Sequence, residues 1–455
     1  MSAFVSRSVG RWFVGSLGFG VKVVSATQPT KDRPTTKRMA ITSVNSYTSR
    51  QSLFVLSWSL LVLLCSFTLT VTVTTATPIS RLPRKPSRPI MLRSRSNKAS
   101  ASTAAAFAVR VVSYNVLSSH LASPSHFTTL NPDHLDASYR LPLVMKKLEA
   151  EIDSHKSKKV VFCLQEVSYD WAASFHTFFA NRGYHLVTGL YGRKFNGYMG
   201  VALAYPVADF ETVHVDVSRL SDKRVGGWPR APETPEPSMV SKLLSSVGYY
   251  FWKAPLKTVG LLGPPPPEDP WSMSERRFNV LVSATLKDKT TEQSFCIGTY
   301  HMPCAFYAPK SMTIHSEMAA RHVQDLADGL PYAVVGDWNI KPTDSMYRML
   351  TTGKMDPTDD AFPTPKYGME WDCTIAPLTS AYAAKLGKEP DFTNNARVGE
   401  KDPFIDTLDY IFLSNHWTVS GVLELPHRDD ANGPFPNEKE PSDHVLIAAD
   451  LEIKP

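Results

Sequence analysis

Acidic residues are almost missing from the first 110 positions: Asp32 stands alone there against sixteen Lys and Arg, a local charge of +15. The whole 455-residue chain carries only +6, so residues 111–455 hold −9. The basicity belongs to the leader, which excludes a general positive field as the means by which the remainder binds a polyanion; a local site or metal ions must do it. Cysteine is scarce too. Cys65, Cys163, Cys296, Cys304 and Cys373 form no C-x-x-C pair and no dense even-numbered framework, which excludes a disulfide scaffold and fits a reducing compartment. No N-x-S/T sequon occurs, which argues against the secretory lumen, and no internal repeat is evident. With 43% hydrophobic and 20% charged residues, the length admits two average domains or one large one with appendages.

Charge disappears once more at Leu53–Ala76, LFVLSWSLLVLLCSFTLTVTVTTA, an uncharged run flanked by Arg50 and by Arg81, Arg84 and Lys85. That length can cross a bilayer, and a membrane span or anchor is the expectation; an internal cleavable targeting segment is the alternative. Residues 1–30, basic and aromatic without an acid, suit an organelle-targeting presequence, and 77–104 are a Pro-, Arg- and Ser-rich linker. The expected organisation is a leader over 1–104 and one domain over 105–455. The leader implies membrane association through 53–76 and a membrane-associated or organellar location.

Past the leader, apolar runs and helical periods alternate. FAVRVVSYNVL (107–117) predicts a strand, and Leu141, Val144, Leu148 and Ile152 set a helical period over 137–152. KVVFCLQEV (159–167) predicts a strand, followed by a helix near 171–181 and strands near 184–190 and 199–205. RFNVLVSATL (277–286) and SFCIGTYHM (294–302) predict neighbouring strands, 311–328 a helix, and YAVVGDWN, DTLDYIFLS and HVLIAADLEI three more strands. This rhythm implies a layered α/β protein. Residues 219–274 interrupt it with VGGWPRAPETPEP and LGPPPPEDP, where proline density argues against regular elements and for a long insertion or surface loop.

Five strands share a feature that packing does not explain: each apolar run ends in a polar group. These are Asn115 in SYNVLS, Glu166 in LQEV, His301 in TYHMP, Asp337 with Asn339 in GDWN, and Asp443 with His444 in PSDH; Asp409 opens the apolar run of LDYIF. Taken singly, each has a bland account, since Asn after a strand is ordinarily a turn residue and GDWN a cap. Together they need one explanation. Buried acids require a proton, a cation or donors, so convergent carboxylates imply a bound cation. Oxygen donors from Glu166, Asp337, Asp443, Asn115 and Asn339 suit magnesium, or manganese, whereas zinc would call for more His or Cys. A hard divalent ion beside carboxylates and two His is equipped for phosphoryl chemistry, with Asp409 typed to hold the His444 ring in one tautomer.

The ordered motifs SYNVLS, LQEV, TYHMP, GDWN, LDYIF and PSDH resemble the signature of the endonuclease/exonuclease/phosphatase superfamily over about residues 108–453. The resemblance implies a four-layer α/β/β/α sandwich of two mixed β-sheets, DNase I-like, with the site at one edge. It implies that Asn115, Glu166 and Asp443 hold the metal, that His301 contacts the phosphate or transition state, and that Asp337 and Asn339 orient nucleophile and phosphate. It also implies that Asp409 buttresses His444 in the closing pair. YNVLS, LDYIF and PNEKEPSDH look most like the deadenylase and nocturnin-like branch. Arg277, before a strand, and Phe435, ahead of the closing motif, are candidate contacts to phosphate and base, each on position alone.

The expected function is hydrolysis of phosphodiester bonds with Mg2+ (or Mn2+), in single-stranded RNA, in the manner of a 3′ exoribonuclease or deadenylase. Two alternatives stand beside it. One is a phosphatase or phospholipase on inositol phosphate or sphingomyelin, weakened because GDWNIKP lacks the Arg usual in 5-phosphatases. The other is a non-catalytic binding protein, weakened because no carboxylate of the set is missing.

Overall fold

Alternation along the strands decides which side chains meet. In β1 (Ala108–Asn115), Val109 and Val111 turn to one face and Val112 and Tyr114 to the other. The same split recurs in β2 (Val160–Ser168), with Val161 and Cys163 against Phe162 and Leu164, and in β8 (Tyr332–Asp337), with Ala333 and Val335 against Tyr332 and Val334. Strands apolar on both faces must be covered on both. The computed structural model, which describes residues 107–193, 196–232 and 269–455, shows how.

Two six-stranded mixed sheets pack face to face. The first runs β13 (Trp417–Val422), β14 (Ile447–Ile453), β1, β2, β4 (Asn196–Pro206) and β3 (Tyr184–Arg193). The second runs β5 (Phe210–Arg219), β6 (Val280–Asp288), β7 (Ser294–His301), β8, β12 (Asp409–Leu413) and β9 (Thr379–Ser380). Within each sheet one pair is parallel, β1 with β2 and β7 with β8. Between the sheets lies a core that includes Val111, Val201, Val282, Ile297, Val335, Ile411 and Ile447. A two-stranded ribbon, β10 (Asn394–Ala396) with β11 (Phe404–Asp406), and a one-turn helix, α1 (Pro132–Leu135), stand apart from these sheets, and longer helices cover the outer faces. α2 (Ala137–Ser154) and α3 (Ala172–Ala180) seal the first sheet through Val144, Leu148, Phe175 and Phe179. α5 (Pro309–Ala327) and α6 (Ser345–Thr352) seal the second through Met312, Ala319, Val323 and Met349. This is the expected α/β/β/α sandwich.

The proline-rich stretch is partly regular. Asp269 accepts from the Ser272 amide at 2.8 Å and Pro270 opens a short helix, α4 (Pro270–Glu275), the one place in a helix where proline loses nothing. Trp271 of that helix is buried in the core under the second sheet. The centre of the predicted insertion, 233–268, lies outside the described residues. The last strand starts later than the apolar pattern suggests: sheet pairing begins at Ile447, so Asp443 and His444 sit in the turn that feeds β14.

The leader, including the uncharged run 53–76, also lies outside the described residues. Among the described residues no helix is long and apolar enough to cross a membrane. The longest of them, α5, spans 19 residues but carries Lys310, Glu317, Arg321 and Asp325 along its length, which a spanning helix does not tolerate. The expectations of a transmembrane segment, of membrane association and of a membrane-associated or organellar location are corrected to that statement, made of the described residues alone, and are not carried further.

Candidate active site

The register of the second sheet places three of the predicted residues side by side. His301 ends β7 directly opposite Asp337 at the end of the parallel β8, and Asp409 opens β12 opposite the same Asp337. Alternation turns all three into the gap between the sheets, in phase with Ile297, Val335 and Ile411. Gly336 makes this close row possible. Its φ of +147° is open only to glycine, and a Cβ there would lie 1.9 Å from the Tyr300 carbonyl oxygen.

Asn115 arrives from β1 by the same alternation, but Glu166 does not. In phase it would follow Phe162 and Leu164 outward under α2 and α3. Instead the β2–β4 pairing shifts between Leu164 and Val167, and Glu166 takes a left-handed φ of +57°. That bulge swings its carboxylate inward, at a backbone strain of about 1–3 kcal/mol. Asn339, with φ +48°, is another left-handed non-glycine in the site; its backbone amide donates to Asp337 Oδ1 at 2.9 Å and its Nδ2 to the Met302 carbonyl at 3.0 Å.

The acids converge. Asn115 Nδ2 donates to Glu166 Oε1 at 3.1 Å and to Asp337 Oδ2 at 2.9 Å, bridging the sheets, while its Oδ1 accepts from the Leu117 amide at 3.0 Å. Glu166 Oε2 accepts from the Ser118 amide at 2.9 Å. His301 Nε2 lies 3.5 Å from Asp337 Oδ2 and 3.9 Å from Glu166 Oε1. Its Nδ1 is 2.5 Å from the buried Tyr191 hydroxyl, whose pKa burial pushes well above its ordinary value. A phenol that stays protonated donates to Nδ1 and leaves the Nε2 proton facing the acids.

His444 is held from behind. Its Nδ1 is 2.7 Å from Asp409 Oδ2, which also accepts from Thr393 Oγ1 at 2.7 Å, and its Nε2 faces Asp337 Oδ2 at 3.6 Å. Burial disfavours the imidazolium, but Asp409 and Asp337, with Asp443 behind them, outweigh it and raise the ring's pKa well above its ordinary value. Beside the ring, burial raises the Asp443 carboxyl, and its Oδ1 is sealed from solvent with no hydrogen-bond partner.

An orphaned oxygen on Asp443, on the wall of a cleft that the buried carboxylates of Glu166 and Asp337 also line, is what a cation site looks like without its charge, although Asp443 belongs to neither of the two tight ligand clusters there. Ligand-type atoms of Glu166, His301 and Asp337 lie within 4.8 Å of one another, as do those of Asp337, Asp409 and His444. The two clusters share Asp337 and fit a divalent cation. In the second cluster the His444 Nδ1 and Asp409 Oδ2 atoms are already committed to each other. Asn115 presents its NH2 rather than its oxygen to the acids, so in this arrangement it clamps two carboxylates together instead of offering a ligand.

Most of these groups line one cleft of about 820 Å³, walled also by Arg277, Phe278, Phe306 and Tyr307. Arg277 reaches Tyr307 Oη at 3.4 Å, and its Nε is buried without a partner. Phe435 is elsewhere. It is buried against Phe392 and Val445 behind the closing loop and does not line the cleft, so the base contact expected of it is not available in this conformation.

Arg140 escaped the sequence reading. It lies on α2, fully buried, with its guanidinium 5.1 Å over the Trp171 ring. Nη2 donates to the carbonyls of Val116 at 2.6 Å and Leu117 at 2.5 Å, and Nε to that of Pro441 at 2.5 Å. It therefore staples the loop after Asn115 to the turn before Asp443. Burial lowers its pKa to about 10, which leaves it charged at neutral pH. Tyr191 and Thr393 were missed as well.

Residues 112–444 match the Endonuclease/Exonuclease/phosphatase family. Among curated relatives, carbon catabolite repressor protein 4 homolog 4 of Arabidopsis thaliana is 36% identical over 125 residues, 27% of either chain. The 2′,5′-phosphodiesterase 12 of Homo sapiens is 25% identical over 362 residues, covering 76% of this chain and 52% of that one. The chain thus spans about half or less of the length of these relatives. The solved structure of ANGEL2, a 2′,3′-cyclic phosphatase, superposes with a TM-score of 0.54 at 18% identity, over 76% of this chain and 96% of that one, a likeness of fold.

Proposed function

The chain belongs to the endonuclease/exonuclease/phosphatase family and is a metal-dependent phosphoric ester hydrolase, and from that premise we propose that it hydrolyses phosphodiester bonds of single-stranded RNA with Mg2+ as the ion. The observation that carries the reading is the convergence of Glu166, Asp337 and the orphaned Asp443 on a cleft that also exposes His301 and His444. With carboxylates as the ion's donors and both His kept for the phosphate, the site favours Mg2+, with Mn2+ as the nearest substitute. The relative named 2′,5′-phosphodiesterase 12 supports a phosphodiester substrate, and the motifs YNVLS, LDYIF and PNEKEPSDH, which resemble the deadenylase branch, support RNA.

Glu166 and Asp443 would hold the ion in this reading, and Asn115 keeps Glu166 and Asp337 together. The ion supplies neutralisation of phosphoryl charge and a more acidic water. Asp337 orients the attacking water and accepts its proton, with Asn339 fixing the carboxylate through its backbone amide. His444, kept cationic by Asp409, donates from Nε2 to a phosphoryl oxygen, and His301, its tautomer set by Tyr191, donates from the opposite side. Arg277 neutralises a neighbouring phosphate.

The test is direct. The purified protein is given labelled poly(A), mixed RNA, 2′,5′-linked oligoadenylate and abasic DNA with Mg2+ or with chelator. Magnesium-dependent release from RNA is expected; no release from any RNA sinks the proposal.

A further inference from the structure

Beside the cleft lies a second concavity of about 650 Å³, lined by Arg219, Arg224, Arg230, Arg276 and Trp228. The catalytic residues do not reach it. Four guanidinium groups face two carboxylates there, Asp222 and Glu275, in a domain otherwise acidic. Arg230 is paired with Glu275, at 2.8 Å for its longer contact, and Arg219 is tied to Asp222 at 3.3 Å and to the carbonyls of Arg277 and Glu275.

Arg224 differs. A turn through Gly226 and Gly227, both with positive φ, folds Trp228 back, and the Trp228 indole N–H donates to the Ser221 carbonyl at 2.8 Å. The Arg224 guanidinium is thereby stacked 5.5 Å from the Trp228 ring and 4.8 Å from that of Trp271. Nη1 donates to the carbonyls of Val225 and Gly227, whereas Nε and Nη2 donate to nothing among the described residues; the buried Glu317 carboxylate feels its charge, but no carboxylate there is in ion-pair contact with it. A half-buried guanidinium fixed by two indoles, unpaired and with donors to spare, is prepared for a phosphate.

The concavity is continuous with the active site. Arg276 lines both, and Arg219 lies 5.1 Å over Phe278, an exposed ring on the cleft wall. We propose that this arginine pocket, centred on Arg224, is an accessory subsite for a backbone phosphate of the substrate strand away from the scissile bond. It rests on the RNA reading above. It accounts for how an acidic domain retains a polyanion, by a short basic track leading from the acids rather than by a general field.

The probes are a fluorescent 2′-O-methyl oligoadenylate dodecamer and the corresponding dinucleotide, titrated by anisotropy in Mg2+ over a series of KCl concentrations. Wild type is compared with Arg224→Gln and, as a second variant on a more exposed side chain, Arg230→Gln. Arg224→Gln is expected to bind the dodecamer about tenfold more weakly, with a salt slope shallower by about 0.7 for the lost phosphate contact, and Arg230→Gln, which leaves Glu275 as an uncompensated negative charge in the pocket, more weakly as well. Dinucleotide binding and turnover stay unchanged. Dodecamer affinity and salt slope equal to wild type in both variants overturn the subsite while leaving the RNA reading intact. A wild type that binds neither probe overturns both.

Discussion

Replacing Arg140 by Met tests whether the site is positioned from behind. The guanidinium gives three hydrogen bonds to buried carbonyls, two on the loop after Asn115 and one on the turn before Asp443. Methionine keeps the packing on Trp171 but leaves those carbonyls without their donor. Each orphaned acceptor costs about 1–3 kcal/mol, offset in part because the charge itself was desolvated, so the loss comes to about 3–5 kcal/mol. At roughly 2 °C per kcal/mol for a domain of this size, the melting temperature falls by about 6–10 °C. A second effect separates positioning from bulk stability. The two tethered segments carry Glu166's partner Ser118 and Asp443, so the melting increment given by Mg2+ over EDTA shrinks along with the overall stability. Scanning calorimetry with and without Mg2+ measures both. A variant that melts within about 1 °C of wild type, or one whose magnesium increment grows, refutes the reasoning; growth would mean that Arg140 acts only as a repelling charge.

Three further outcomes are expected. Asp409→Asn preserves shape but removes the charge that keeps His444 cationic, so kcat falls at least about a hundredfold with little change in KM, and a kcat near wild type in steady-state assays excludes the dyad. His315 is fully buried, accepts from the Tyr300 hydroxyl and donates to the Ser274 carbonyl, and burial lowers its pKa to about 4. Above pH 6.5 it is neutral folded or unfolded; as pH falls from 6.5 to 4 only the unfolded chain takes the proton, and up to about 3 kcal/mol of stability is lost. Urea unfolding at both pH values should show that difference in wild type and a smaller one in His315→Gln. Gly336→Ala forces a Cβ into the Tyr300 carbonyl and should destabilise by at least about 3 kcal/mol, read as a lower urea midpoint; an unchanged midpoint would show that β7 and β8 can separate there freely.

Much of the site was legible because its residues end strands. Asn115, His301 and Asp337 stand in phase with apolar neighbours, so a polar group at the end of each run announced itself. Glu166 was identified by its motif although its phase is wrong, and only the bulge explains how it faces inward. The buried face of α2 was read correctly at Val144 and Leu148, with Leu141 and Ile152 packed half-buried beside them, but Arg140 also turns fully inward, because a charged residue can be core when backbone carbonyls from distant segments receive it. Those partners, Val116 and Pro441, are far apart in the chain, and no local pattern reports them. Strand β5 was missed because FETVHVDVSR is an edge strand with a largely solvated face, and Thr393 because its segment has no period. The Phe435 contact failed on depth: an aromatic ahead of the closing motif can as readily anchor the loop as receive a base.

The Asn115 bridge has a consequence for folding. Asn115, Glu166 and Tyr191 come from one sheet, and Asp337, His301 and Asp409 from the other. Neither sheet alone holds the acids together, so a half-assembled domain has no active centre, and catalytic activity appears during refolding only when the sandwich closes. Glu166 and Asp443, which would hold the ion, both stand on the side of the first sheet, so the clasp between the layers is the Asn115 amide with its two carboxylates, and losing that amide rather than the cofactor is what would start to separate them.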